Sequence, residues 1–72
     1  MREWLKLVRE QESLTQKTIA DMVGIRQSHY SEIENNKANP HPNTAKAIAE
    51  VLNFDKHNVS WTKFYENKEN SA

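Results

Sequence analysis

At 72 residues the chain has room for one small domain, and a domain of that size buries only about 60% of its unfolded surface. It contains no cysteine, which excludes disulfide staples and thiolate zinc sites and suits a reducing, intracellular compartment. Ten Lys and Arg balance ten Asp and Glu for a formal net charge of zero, so total charge speaks against nucleic-acid binding, whose domains are often basic.

No apolar run approaches the ~20 residues of a membrane span, and Met1-Arg2-Glu3-Trp4 lacks the apolar core of a signal peptide. A cytoplasmic protein with no membrane association is expected. One glycine and two prolines argue against a loop-rich or all-β fold. Alternating strand patterns are absent and helical spacing recurs. The expectation is an all-α domain over residues 1–66, followed by a polar tail over 67–72.

The first helix is predicted over about Arg2 to Gln11, with Trp4, Leu5 and Val8 as its apolar stripe. Ser13-Leu14-Thr15 breaks the run. Thr15 is a good N-cap for a second helix from Gln16 to Met22, with Ile19, Ala20 and Val23 inward. Gly24 ends it by supplying the positive φ of a tight turn, and Ile25 plugs that turn into the core.

A third helix spans about Gln27 to Asn35. Asn35-Asn36 makes a left-handed exit, a conformation asparagine tolerates well. Asn39-Pro40-His41-Pro42 is a stiff connector. A fourth helix follows from about Asn43 to Leu52, with Pro42 or Asn43 at its entrance and Ala45, Ile48, Ala49 and Leu52 on one face. Asn53-Phe54-Asp55 closes it. A short fifth helix begins near Ser60 and carries Trp61, Phe64 and Tyr65.

Two short helices joined through a glycine turn define a helix-turn-helix. The third helix carries the sharper signal. Gln27, Ser28, Ser31, Glu32 and Asn35 share an arc of roughly 140°, while Tyr30 and Ile33 point to the other side and His29 lies at the boundary. A merely solvated face favours Glu, Lys and Arg; short amides and hydroxyls are better suited to base edges. A glutamine amide pairs bidentately with adenine N6 and N7 in the major groove, a serine hydroxyl donates or accepts, and Glu32 can accept from cytosine N4. Arg26, at the start of this helix, is placed for a phosphate or a guanine edge.

Charge is distributed slightly in favour of this middle segment. From Thr15 to Lys46 the bases Lys17, Arg26, Lys37 and Lys46 face the acids Asp21, Glu32 and Glu34, a surplus of one. Amides, hydroxyls and helix N-termini also contact phosphates, so a modest salt dependence of binding is expected.

Leu14-Thr15-Gln16, Ile19-Ala20, Val23-Gly24-Ile25 and Ser31-Glu32-Ile33-Glu34-Asn35 together resemble the Cro/C1-type (XRE) helix-turn-helix family, over about Leu5 to Leu52. The resemblance implies a five-helix, lambda-repressor-like bundle that binds double-stranded DNA as a homodimer. It also implies residue roles. Gln27 and Ser28 would read bases, with Ser31 or Glu32 at the next pairs. Gln16 would touch a phosphate and brace Gln27. Lys17, Arg26, His29, Asn35 and Lys37 would lie along the backbone, and Arg9 and Glu34 would form a buried ion pair that fixes orientation more than it stabilises. Three departures stand out. Arg26 replaces a usual capping Ser or Thr. Asn36 replaces a usual Gly, so the turn should survive under some strain. Lys56 to Ser60 looks like an insertion before the aromatic segment.

His29, His41 and His57 lack the spacing of a metal site, and adjacent Ser28 and His29 diverge on a helix and make a poor nucleophile–base pair. With one glycine there is no phosphate loop. No enzyme activity, metal or cofactor is therefore expected. Trp61, Phe64 and Tyr65 have two uses: packing the fifth helix on helices one and four, or forming a two-fold dimer contact. The favoured function is a small phage- or mobile-element-type repressor on a palindromic operator, with regulation by concentration, a competing repressor or a protein partner. The rival is a protein-interaction module of the same fold, an antitoxin or adaptor with weak or no DNA binding.

Overall fold

The computed structural model describes residues 1–66; the predicted tail over 67–72 lies outside the described residues. Four α-helices follow in order: α1 (Glu3–Gln11), α2 (Gln16–Val23), α3 (Gln27–Glu34) and α4 (Pro42–Val51). Two 3-10 helices, Phe54–His57 and Trp61–Tyr65, complete the described chain. The class is all-α, as expected, and the helix bounds agree with the sequence pattern to within a residue or so.

The short fifth helix starts where the sequence puts it and is wound more tightly than an α-helix. Ser60 does cap its start, with its hydroxyl accepting from the Thr62 amide at 3.2 Å, but the segment is a five-residue 3-10 helix. The tighter winding stacks positions three apart. Phe64 is thereby drawn into the core, 5.3 Å from the Trp4 ring and 6.0 Å from Phe54 between centroids. The stretch ahead of it is also ordered: left-handed Asn53 and Asn58 (φ +56° and +57°) bracket the Phe54–His57 helix.

Helix ends repeat one solution. Ser13, Gly24, Asn36 and Asn53 all have positive φ and follow α1, α2, α3 and α4 respectively. At Asn36 the amide donates to the Ile33 carbonyl (3.2 Å) and the next amide, Lys37, donates to Glu32 (2.8 Å), the paired bonds of a Schellman cap. Asparagine thus does the work of glycine there, at φ +64°. Pro42 occupies the first turn of α4, where its missing N–H loses no helical bond.

The core gathers Leu5 and Val8 from α1, Ile19 and Ala20 from α2, Tyr30 and Ile33 from α3, Ala45 and Ile48 from α4, and Leu52, Phe54 and Phe64. Trp4, Leu14, Val23, Ile25 and Trp61 pack around it, half-buried. Each large aliphatic side chain enclosed in this way contributes about 1.5–3 kcal/mol. Two polar groups are also buried. Glu34 joins α3 to α1 and α2, and Arg2 joins the N-terminal end to α3 and the Trp61–Tyr65 segment.

Outside the core, Glu12 at the end of α1 is held to the Phe54–His57 helix. His57 Nε2 lies 2.8 Å from its Oε2, and Asn53 Nδ2 donates to Oε1 at 3.0 Å. These hydrogen bonds, from His57 and then Asn53, hold the Glu12 carboxyl below the ordinary range.

Candidate nucleic-acid interface

The turn between α2 and α3 is set by Gly24 at φ +86°. Its amide and that of Ile25 both donate to the Ala20 carbonyl, at 2.8 and 3.0 Å. At the far end of α2 the Thr15 hydroxyl accepts from the Thr18 amide at 3.1 Å. Ile25, packed against the core, pins the turn from below.

The third helix is divided as its sequence implies. Tyr30, Ile33 and Glu34 are buried, while Gln27, Ser28, Glu32 and Asn35 are exposed and His29 and Ser31 are half-buried. Arg26 occupies the N-cap position, is exposed and makes no capping bond from its side chain. The first amides of α3 therefore lack a side-chain acceptor from Arg26, which leaves them to water or an anion. Asn35 Nδ2 reaches Ser31 Oγ at 3.4 Å, and His29 Nδ1 stands 3.8 Å from Glu32 Oε1. Lys17 is exposed and pairs with Asp21 one turn on, at 2.9 Å. Exposed pairs of this kind are worth little and open readily to other anions. Lys37 is exposed on the loop after α3.

At the edge of the exposed face, beside Gln27 around the helix axis, lies the buried Glu34 carboxylate. Arg9 donates to it through Nε (2.7 Å) and Nη2 (3.1 Å), Gln16 Nε2 donates to Oε1 (2.9 Å), and the Tyr30 hydroxyl donates to Oε2 (3.0 Å). Burial works against its charge, but the hydrogen bonds from Arg9, Gln16 and Tyr30, with Arg9's own charge, outweigh it and hold the carboxyl below the ordinary range. Arg9 is pushed up in turn by its hydrogen bond to Glu34. Burial, with the adjacent carboxylate, pushes the Tyr30 phenol well up. The network ties α1, α2 and α3 through one residue.

Sequence reasoning placed Arg9 beside Glu34. It did not foresee that Gln16 and Tyr30 share the same carboxylate. The Gln16 amide nitrogen is committed to Glu34. The side chain is half-buried at the opening turn of α2.

The three C-terminal aromatics separate. Phe64, at 3% exposure, is enclosed within its own chain, which is the packing use of the two that the sequence leaves open for it. Trp61 is half-buried, with Lys46 Nζ 5.0 Å from its ring centroid and Tyr65 edge-on at 6.1 Å. Tyr65 is 40% exposed, its hydroxyl donating to the Pro40 carbonyl. Trp61 and Val59 border an open groove against Lys46, Ala49 and Glu50 of α4.

A family model described as helix-turn-helix matches residues 5–56. That is well over half the chain, and the chain belongs to this helix-turn-helix family, of Cro/C1 (XRE) type. It is a DNA-binding regulator of that type. No curated protein and no solved structure matches it. Among the described residues no helix is long and apolar enough to cross a membrane.

Proposed function

We propose that the chain is a transcriptional repressor of the small phage- or mobile-element kind, binding a palindromic operator as a homodimer. The observation that carries the base-reading part is the exposed face of α3. Gln27, Ser28 and Glu32 stand clear of the core at the helix that follows the Gly24 turn, while Tyr30 and Ile33 fix the opposite face and buried Glu34 anchors one flank. A reading helix must be rigid behind and polar in front, and short amides and hydroxyls match base edges in the major groove.

Gln27 and Ser28 are assigned to bases at the front of α3, with Ser31 and Glu32 at the next pairs. Gln16, Lys17, Arg26, His29, Asn35 and Lys37 are assigned to the sugar–phosphate backbone. The uncapped start of α3 and exposed Arg26 support a phosphate there. The dimer rests on the groove edged by Trp61, with Tyr65 beside it. Two copies would set their reading helices about 34 Å apart on one face of the duplex.

Exposed Glu32 on the reading face, with a net charge of zero, favours the second reading, a protein-interaction module with weak or no DNA affinity. Selection of bound duplexes from a random library separates the two. The repressor assignment expects a recovered motif with two-fold symmetry. Recovery of unenriched sequence at low salt overturns it in favour of the interaction module.

A further inference from the structure

Arg2 is 7% exposed, an unusual place for an arginine that precedes the first helix. Its guanidinium donates to the Ile33 carbonyl, to the Ala38 carbonyl at 3.1 Å, to Asn39 Oδ1 and to the Phe64 carbonyl at 3.1 Å. Its backbone amide donates to the Glu34 carbonyl at 2.7 Å. The Phe64 ring lies 5.5 Å below the guanidinium carbon. One residue thus satisfies two terminal carbonyls of α3, where a cation also suits the helix dipole.

Those contacts bracket a short loop. Ile33 and Glu34 end α3, and Ala38 and Asn39 lie beyond Lys37. Between them, left-handed Asn36 and the amides of Lys37 and Ala38, both directed at the Glu32 carbonyl (2.8 and 3.3 Å), set the path of the chain. Lys37 is exposed on the crest of this loop. Arg2 faces inward and has no surface to offer DNA; its reach is to the backbone on both sides of Lys37.

We propose that Arg2 is a positioning residue for DNA-backbone binding: it holds the exit of α3 and the Lys37 loop in one arrangement before DNA arrives. The proposal rests on the assignment of Lys37 to a phosphate. A loop already ordered in the free protein loses less freedom when it binds, and the difference appears as affinity. The effect is independent of base sequence, because phosphate contacts carry none. A purely structural arginine would lower stability without acting through Lys37.

The test is a double-mutant cycle read by fluorescence anisotropy on a labelled random-sequence duplex. Wild type, Arg2→Met, Lys37→Ala and the double variant are titrated across a salt series, at a temperature where circular dichroism shows each one folded. Losing one phosphate contact lowers the slope of log K against log salt by about 0.9. Arg2→Met is expected to show most of that shift, and the double variant to bind no more weakly than Lys37→Ala alone. Losses that multiply, or an Arg2→Met protein that binds like the wild type, overturn the positioning role. A wild type that binds no duplex at all fails earlier, at the DNA assignment, and takes this proposal with it.

Should Arg2→Met not fold, Asn39→Ala removes a single anchor of the guanidinium and replaces it in the cycle. Amide hydrogen exchange in the DNA-free Asn39→Ala protein then provides a second readout. Faster exchange at Lys37 and Ala38, with Leu5 and Ile48 unchanged, is expected. Unchanged exchange at the loop overturns the proposal.

Discussion

Replacing Arg9 by methionine removes two of the four hydrogen bonds that hold the Glu34 carboxylate and leaves a charge at 1% side-chain exposure without its cation. Breaking a buried pair from one side costs about 3–5 kcal/mol. A 72-residue domain has about 4–11 kcal/mol in all, so the variant stands near the edge of unfolding at neutral pH. The dependence on pH is the sharper test. In the wild type Glu34 lies below the ordinary 4.5, so its contribution is fully present above that value and is lost as pH falls through the lower folded-state value. In Arg9→Met, burial is opposed by Gln16 and Tyr30 alone. The folded-state pKa then rises, and the penalty is relieved as the carboxyl takes up a proton. Urea unfolding followed by tryptophan fluorescence at about pH 7 and about pH 4 measures both. The gap between the two proteins should be wide at neutral pH and narrow markedly in acid. An equal gap at the two pH values would refute the charge-based explanation and leave lost packing and the lost hydrogen bond from Arg9 to the Leu14 carbonyl.

Three further outcomes are expected. Gly24→Ala meets no atom within 4 Å with its new Cβ, so its penalty is the left-handed backbone alone, about 1–2 kcal/mol; calorimetry should show Tm lower by about 4–8 °C per kcal/mol. Arg26→Ser restores a side-chain cap to α3 and should stabilise by about 1 kcal/mol while weakening DNA binding at low salt; a stabilised protein with undiminished affinity contradicts the phosphate role of Arg26. Sedimentation equilibrium should show a concentration-dependent dimer, and a monomer at all concentrations that still fills its operator with full affinity contradicts the two-fold assembly.

The helix-turn-helix was legible because its determinants are local. Thr15 caps within three residues, Gly24 turns where it stands, and the period of Tyr30 and Ile33 marks the inner face. Periodicity alone misplaces Glu34, which lies about 20° from Gln27 around the helix axis. Its burial is decided by Arg9, 25 residues earlier, and was reached through the family resemblance. Arg2 gave no signal, since its partners lie between 31 and 62 residues away and nothing in its neighbours points to them. The Trp61–Tyr65 segment was ambiguous for a different reason. The spacing of three from Trp61 to Phe64 fits an α- or a 3-10 helix, and the choice follows from where Phe64 must meet Trp4 and Phe54. Asn53 and Asn58, which make the preceding segment an ordered turn, read from sequence only as polar punctuation.

We propose that α3 reads base pairs through Gln27 while Lys37 grips the backbone. The most direct test is the affinity of Gln27→Ala and Lys37→Ala for the selected operator and for random duplex at one salt concentration. Gln27→Ala should lose about 1–3 kcal/mol on the operator, confined to one base position in each half-site, and little on random DNA. Lys37→Ala should weaken binding to both alike. Equal losses on operator and random DNA for Gln27→Ala would contradict the assignment of α3 as the reading helix.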